Sequence, residues 1–144
     1  MPTSEKPVIL DTHVWAMLAL DDPAVARTHV ARIVEAAAAD RRLYVSAISV
    51  WEIAMLEAKG RIQLHPNVTV WVRDALDRPR ISLVPLSPEI AIESTRLPGG
   101  ELLHTDPSDR IIAASARLLD GMLLTRDRGL LDYAERGYIK ALKI

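Results

Sequence analysis

The chain contains no cysteine, which removes disulfide frameworks, thiolate metal sites and cysteine nucleophiles together. Any metal it holds must be bound through oxygen or imidazole. Long apolar runs are missing as well. Runs such as Val8-Ile9-Leu10 and Met122-Leu123-Leu124 are strand-sized and far short of the roughly 20 residues that a membrane span requires. Asp11 interrupts the apolar segment that follows Lys6 almost at once, so no signal-peptide core is present. A soluble cytoplasmic protein without membrane association is the expectation. Nor is there an excess of positive charge. The formal net charge is −1, which argues against nucleic-acid binding through a global positive field. Lysine is scarce: only Lys6, Lys59, Lys140 and Lys143 stand among 18 basic residues, so arginine dominates. Arginine suits bidentate contacts to phosphate and carboxylate, although a coding bias that places arginine on helix surfaces accounts for the same count. No glycine-rich turn follows the first apolar run, which excludes the dinucleotide-binding fingerprint.

What is present is enough for one core. With 144 residues, 49% of them hydrophobic, residues 1–144 read as a single domain without a linker. Val8-Ile9-Leu10, bounded by Pro7 and Asp11, has the uniformly apolar character of a strand buried on both faces. A helix over Thr12 to Leu20 follows. Asp22 before Pro23 is an N-cap with proline at the first helical position, opening a long helix to about Asp40. Leu43 to Ala47 reads as a strand and Ser49 to Lys59 as a helix stopped by Gly60. Further on come a helix over Asn67 to Leu76, a strand over Ile81 to Leu86, and a helix from Ser87-Pro88 that Pro98-Gly99-Gly100 ends. Asp106-Pro107 opens a helix with Ile112, Ala116 and Leu119 on one stripe. Met122 to Thr125, Leu130 to Arg136 and Tyr138 to Ile144 read as strand, helix and strand. Strands alternating with helices imply an α/β sandwich, a central and mostly parallel sheet flanked by helices, with its ligand crevice at the carboxyl ends of the strands.

Four acids fall where that crevice should be. Asp11 directly follows the first strand, Glu52 comes shortly after the second, Asp109 lies at a helix start, and Asp127 lies two residues beyond Thr125. Each has a local explanation. Ser49 with Glu52 fits a capping box, Asp106-Pro107-Ser108-Asp109 fits an N-cap with an acid favoured by the helix dipole, and Asp11 and Asp127 are placed to cap the helices after them. Capping does not explain why all four positions carry an acid rather than serine or threonine. A shared cation does. Crowded carboxylates raise one another's pKa unless a cation holds them together, and hard oxygen ligands without sulfur select magnesium or manganese. Such an ion suits phosphodiester hydrolysis, because it orients a water and neutralises charge on the phosphate.

The order of Val8-Ile9-Leu10-Asp11-Thr12, Ser49-Val50-Trp51-Glu52-Ile53, His104-Thr105-Asp106-Pro107-Ser108-Asp109-Arg110-Ile111-Ile112-Ala113-Ala114 and Leu124-Thr125-Arg126-Asp127 resembles the PIN domain of VapC toxins. The resemblance runs from the first strand to the end of the chain and implies a PIN-like sandwich. It implies that Asp11, Glu52, Asp109 and Asp127 are catalytic and bind Mg2+, with Mn2+ as a substitute, to activate water for cleavage of single-stranded or looped RNA. It further implies a homodimer, neutralised by a VapB-type antitoxin. Thr12 and Thr125 resemble residues that shape the site, with local capping as the alternative. Asp106 and Asp109 compete for one role; Asp109 has the Ile-Ala-Ala helix behind it, which leaves Asp106 as cap or second-rank neighbour. Ser108 stands where many relatives carry phenylalanine.

Other residues carry two readings each. His104 and His13 could contact substrate or pair with a backbone carbonyl, the latter being the commoner use. Arg110, Arg126 and Arg128 could meet RNA phosphate or balance the carboxylates. Trp15, Trp51 and Trp71 all lie in apolar helical patterns, which favours core or interface packing over base stacking. Two rival functions are a catalytically silent PIN-like binding module, expected to lack some of the acids, and a haloacid-dehalogenase-like phosphatase, which needs a second aspartate where this chain has His13.

Overall fold

The computed structural model describes residues 6–77, 79–103 and 106–144. Five strands, β1 (Val8–Leu10), β2 (Leu43–Ser46), β3 (Ser82–Val84), β4 (Met122–Thr125) and β5 (Lys140–Lys143), form one sheet in the order β3-β2-β1-β4-β5. Every neighbouring pair is parallel. Successive side chains of a strand point to opposite faces, and the two central strands show it. Val8 and Leu10 of β1 and Leu124 of β4 join one hydrophobic cluster, whereas Ile9 and Leu123 join another on the opposite face. A strand that feeds two cores has no polar side to show, which is why these segments read as unbroken apolar runs.

Helices cover both faces. On one side, α1 (Thr12–Ala19), α2 (Pro23–Ala26), α3 (His29–Ala39), α4 (Ala47–Ala58) and α5 (Val68–Asp77) supply Trp15, Val25, Val34, Ile53 and Ala75 to the first cluster. On the other, α6 (Pro88–Thr95), α7 (Pro107–Leu119) and α8 (Arg128–Glu135) supply Ile90, Ile112 and Tyr133 to the second. Among the described residues no helix is long and apolar enough to cross a membrane. The chain builds outward from β1 through β2 to β3, then returns across the sheet to place β4 on the other side of β1. That reversal opens a crevice beyond the carboxyl ends of β1 and β4.

Several boundaries differ from the sequence reading, for local reasons. The long helix expected from Asp22 to Asp40 is two helices. Arg27 closes α2, and the hydroxyl of Thr28 accepts from the Val30 N–H at 3.2 Å to start α3, a side-chain competition with the backbone that threonine is well suited to make. The cap of α4 is Ser46, whose Oγ accepts from Ile48 N at 3.2 Å. The expected Ser49–Glu52 capping box is therefore not formed, and Ser49 lies buried inside the helix. β3 ends at Val84, since Pro85 has no N–H to give to the ladder. α6 ends at Thr95, and a single 3-10 turn over Gly100–Leu102 follows the expected proline-glycine stop. Gly99 there has φ 65°, and the Tyr138 ring stands 2.5 Å from where a Cβ would be, so no larger residue fits.

Candidate metal-binding active site

The crevice is built from the ends of two strands and the starts of three helices. The Asp11 N–H donates to the Leu124 carbonyl at 3.0 Å, carrying the ladder between β1 and β4 one residue past the strand. This pins Asp11 at the sheet edge, where it is only 5% exposed. Its Oδ1 accepts from the Thr12 N–H at 2.8 Å, capping α1, and its Oδ2 accepts from the Thr125 hydroxyl at 2.6 Å. The same Thr125 oxygen accepts from the Asp127 N–H at 3.0 Å. One hydroxyl at the end of β4 thus holds both Asp11 and the backbone of Asp127, whose Oδ2 caps α8 by accepting from Leu130 N at 2.9 Å.

Glu52 is positioned in the same way from α4. The Thr12 hydroxyl donates to Glu52 Oε1 at 2.6 Å and lies 2.7 Å from the Ser49 hydroxyl. A threonine hydroxyl has one proton. With that proton on Glu52, the Ser49 hydroxyl donates to Thr12, giving a relay from Ser49 through Thr12 to Glu52. Ser49 was not singled out as a site residue from sequence, where its three-residue spacing to Glu52 looked like a cap. Its signal was polarity in mid-helix next to an acid.

Asp109 enters from the first turn of α7 and is half-buried. Burial, followed by the charges of Asp127, Asp11, Asp106 and Glu52, pushes its carboxyl up to about 7. Burial also raises Asp11, against the hydrogen bonds from Thr125 and Thr12, and raises Glu52, against the one from Thr12, with the charges of Asp11 and Asp106 adding. Asp109 therefore feels the charge of each of the other acids. Asp106 is exposed and caps α7 by accepting from Ser108 N at 3.0 Å. Among the described residues no lysine or arginine forms an ion pair with Asp11, Glu52, Asp106, Asp109 or Asp127. Exposed His13 is near enough for its charge to oppose the upward shifts of Asp11 and Glu52. Carboxylates of this kind, all oxygen and without a paired lysine or arginine, are chemically suited to Mg2+ or Mn2+. Among the described residues no three His, Asp or Glu side chains stand close enough together to hold a metal ion between them.

The remaining candidates fall elsewhere. Arg110 donates to the carbonyls of Ser94 and Gly100, at 2.9 Å each, so it ties down the segment before α7 rather than facing the crevice. Arg128 pairs with Asp132 and Glu135, and Arg126 rests its guanidinium 3.7 Å from the Met17 sulfur. His104 lies outside the described residues. Trp15 is fully buried and Trp71 packs on it, ring centroids 5.9 Å apart, as packing in the core requires. Trp51, by contrast, is 54% exposed and joins neither cluster. A hollow of about 780 Å³ between α8 and β5 contains none of the acids, so charge rather than volume marks the site.

Comparison with known proteins bears on the family and the fold. The family model described as PIN domain matches residues 8–136. The chain is similar to Ribonuclease VapC22 of Mycobacterium tuberculosis (strain ATCC 25618 / H37Rv), 32% identical over 126 residues that cover 85% of this chain and 88% of that protein. Among solved structures it is similar to VapBC2 from Rickettsia felis bound to a DNA fragment from their promoter, with TM-score 0.69, 16% identity, and 94% and 97% of the two chains covered. It is also similar to DNA-bound VapBC from Salmonella typhimurium, with TM-score 0.66, 17% identity, and 96% and 98% covered. At these identities the structural likeness is one of fold.

Proposed function

Because this chain belongs to the PIN-domain family, among its VapC-like members, we propose that it is a metal-dependent endoribonuclease and the toxin of a VapBC-type toxin–antitoxin pair. The observation that carries the reading is the shift of Asp109 up to about 7 by burial and by the charges of Asp127, Asp11, Asp106 and Glu52, with no lysine or arginine paired to any of these acids among the described residues. These four would hold Mg2+, with Mn2+ as a substitute. When bound, the ion orients and acidifies a water and neutralises charge on the phosphate. The chain's own residues prepare that chemistry. Thr125 and Thr12 donate to Asp11 and Glu52, stabilising their charged forms and fixing their rotamers. Asp127 and Asp106 fix the starts of α8 and α7 through their caps. Asp109, titrating near neutrality, is the acid whose charge the ion must win from a proton.

The test is cleavage of a total RNA pool with Mg2+, Mn2+ or chelator, combined with calorimetry and thermal melts. RNA is cut only with metal, manganese binds more tightly than magnesium, and either ion raises the melting temperature by linkage. No binding of either ion at millimolar concentration, or cleavage undiminished by chelator, defeats the proposal.

The partners follow from the same reading. Residues 1–144 act as one cytoplasmic domain. A VapB-type antitoxin neutralises it by placing an arginine or lysine of its tail among the acids. The exposed Leu83, Leu86, Ile92 and Leu118 offer apolar surface for a homodimer. Light scattering of the toxin alone gives the dimer mass, and a monomer mass across the micromolar range removes this part of the reading.

A further inference from the structure

Trp51 is the exposed exception among the three tryptophans, and its place on α4 connects it to the acids. Ile48, Trp51, Glu52 and Met55 fall at i, i+3, i+4 and i+7, a single stripe of the helix. At its start, Ile48 packs against the cluster that contains Ile112 of α7. Glu52, within the stripe, accepts from Thr12 in the crevice. The indole beside it is 54% exposed and lies in neither core. Helical side chains lean toward the helix N-terminus, and α4 begins where β2 ends, at the carboxyl edge of the sheet. The Cα–Cβ bonds of α4 therefore tilt toward the sheet edge at which Asp11 lies. A flat, neutral, exposed π-face is thus set one residue from a carboxylate of the proposed catalytic group.

The chemistry of the neighbourhood decides what lies on it. Asp11 is 5% exposed, which favours a strand whose nucleotides have left a helical stack over a rigid duplex. An unpaired base is drawn to an aromatic face, and such stacking tolerates any base because each has a π-face. The exposed large aliphatics, Leu20, Leu83, Leu86, Ile92 and Leu118, lie at the end of α1 and on β3, α6, α7 and the segment after β3, none of them on α4. We infer that Trp51 is a substrate-positioning residue, on which an unpaired nucleobase next to the cleaved phosphate stacks. The inference rests on the ribonuclease reading above.

The experiment pairs Trp51 variants with an oligoribonucleotide in which one nucleotide at a time near the cut is made abasic. The wild type loses roughly tenfold or more in KM at one abasic position. Trp51→Ala shows a similar loss on the intact RNA, falling on KM rather than kcat, and no additional loss at that position. Trp51→Phe restores most of the affinity. The same position governs quenching of tryptophan fluorescence in chelator, where nothing is cut. An abasic penalty as large in Trp51→Ala as in the wild type overturns the inference while leaving the nuclease reading intact. So does a Trp51→Ala protein that changes in mass by light scattering but binds RNA normally, because the indole then serves an interface between copies. A wild type that cuts no RNA with either metal removes the nuclease reading and this inference with it.

Discussion

Asp109→Asn is expected to give a folded protein that no longer cleaves RNA and binds manganese more weakly, while Asp106→Asn retains most of both. The two aspartates are three residues apart and face different demands. Asp106 accepts one backbone N–H as the cap of α7, and asparagine does that nearly as well. Asp109 is half-buried among four other acids and would contribute charge, which asparagine cannot. The pH dependence separates them further. With a folded value of about 7 against an ordinary 3.8, Asp109 holds its proton in the folded state after the unfolded chain has released it. Stability of the metal-free protein therefore falls as pH rises from about 4 to about 7. The upward shifts of Asp11 and Glu52 add slope of the same sign. Asp109→Asn removes its own share. In chelator the variant should melt higher than the wild type near pH 8, less whatever helix-dipole stabilisation the charge supplied, and the gap should shrink near pH 5. An inactive, metal-deficient Asp106→Asn beside a normally cleaving Asp109→Asn reverses the assignment.

Trp15→Ala should be the most damaging single truncation in the first core, costing about 3–5 kcal/mol. Trp15 is fully buried, packs against Trp71 and donates its indole N–H to the Ala75 carbonyl at 3.2 Å. Removal leaves a large void and an unpaired carbonyl, a large share of the roughly 5–15 kcal/mol that holds a domain folded. It also loosens α1 one turn beyond Asp11. Denaturant midpoints compared at constant slope measure the loss, and a shift worth under about 1 kcal/mol contradicts the packing described.

The parts of this molecule that are legible in sequence are those decided by neighbours in the chain. Two-faced strands, proline after an N-cap acid and the acid-bearing segments can be read because a few consecutive residues determine them. The break at Thr28 and the cap at Ser46 are contests between nearly equal local options, which tertiary packing decides. Ser49 joins the site through Thr12, 37 residues away in the chain, and Arg110 serves Ser94 and Gly100. Such partners are set by the fold. Trp51 lies outside the core that takes Trp15 and Trp71, and sequence does not separate the three because one apolar residue in a helical pattern looks alike whether its face meets a core, an interface or open solvent.

The Thr125 hydroxyl supports Asp11 through its proton and Asp127 through its lone pair, so the two acids cannot be moved independently. Strand ends that share an atom are a poor place for variation, since any shift disturbs both partners. Glu52 of α4 is tied in the same way through Thr12, whereas the exposed Trp51 indole lies outside both cores. On the reading proposed above, the architecture would separate two kinds of inheritance: a reaction centre whose acids are locked together, and an exposed indole that can change without moving them.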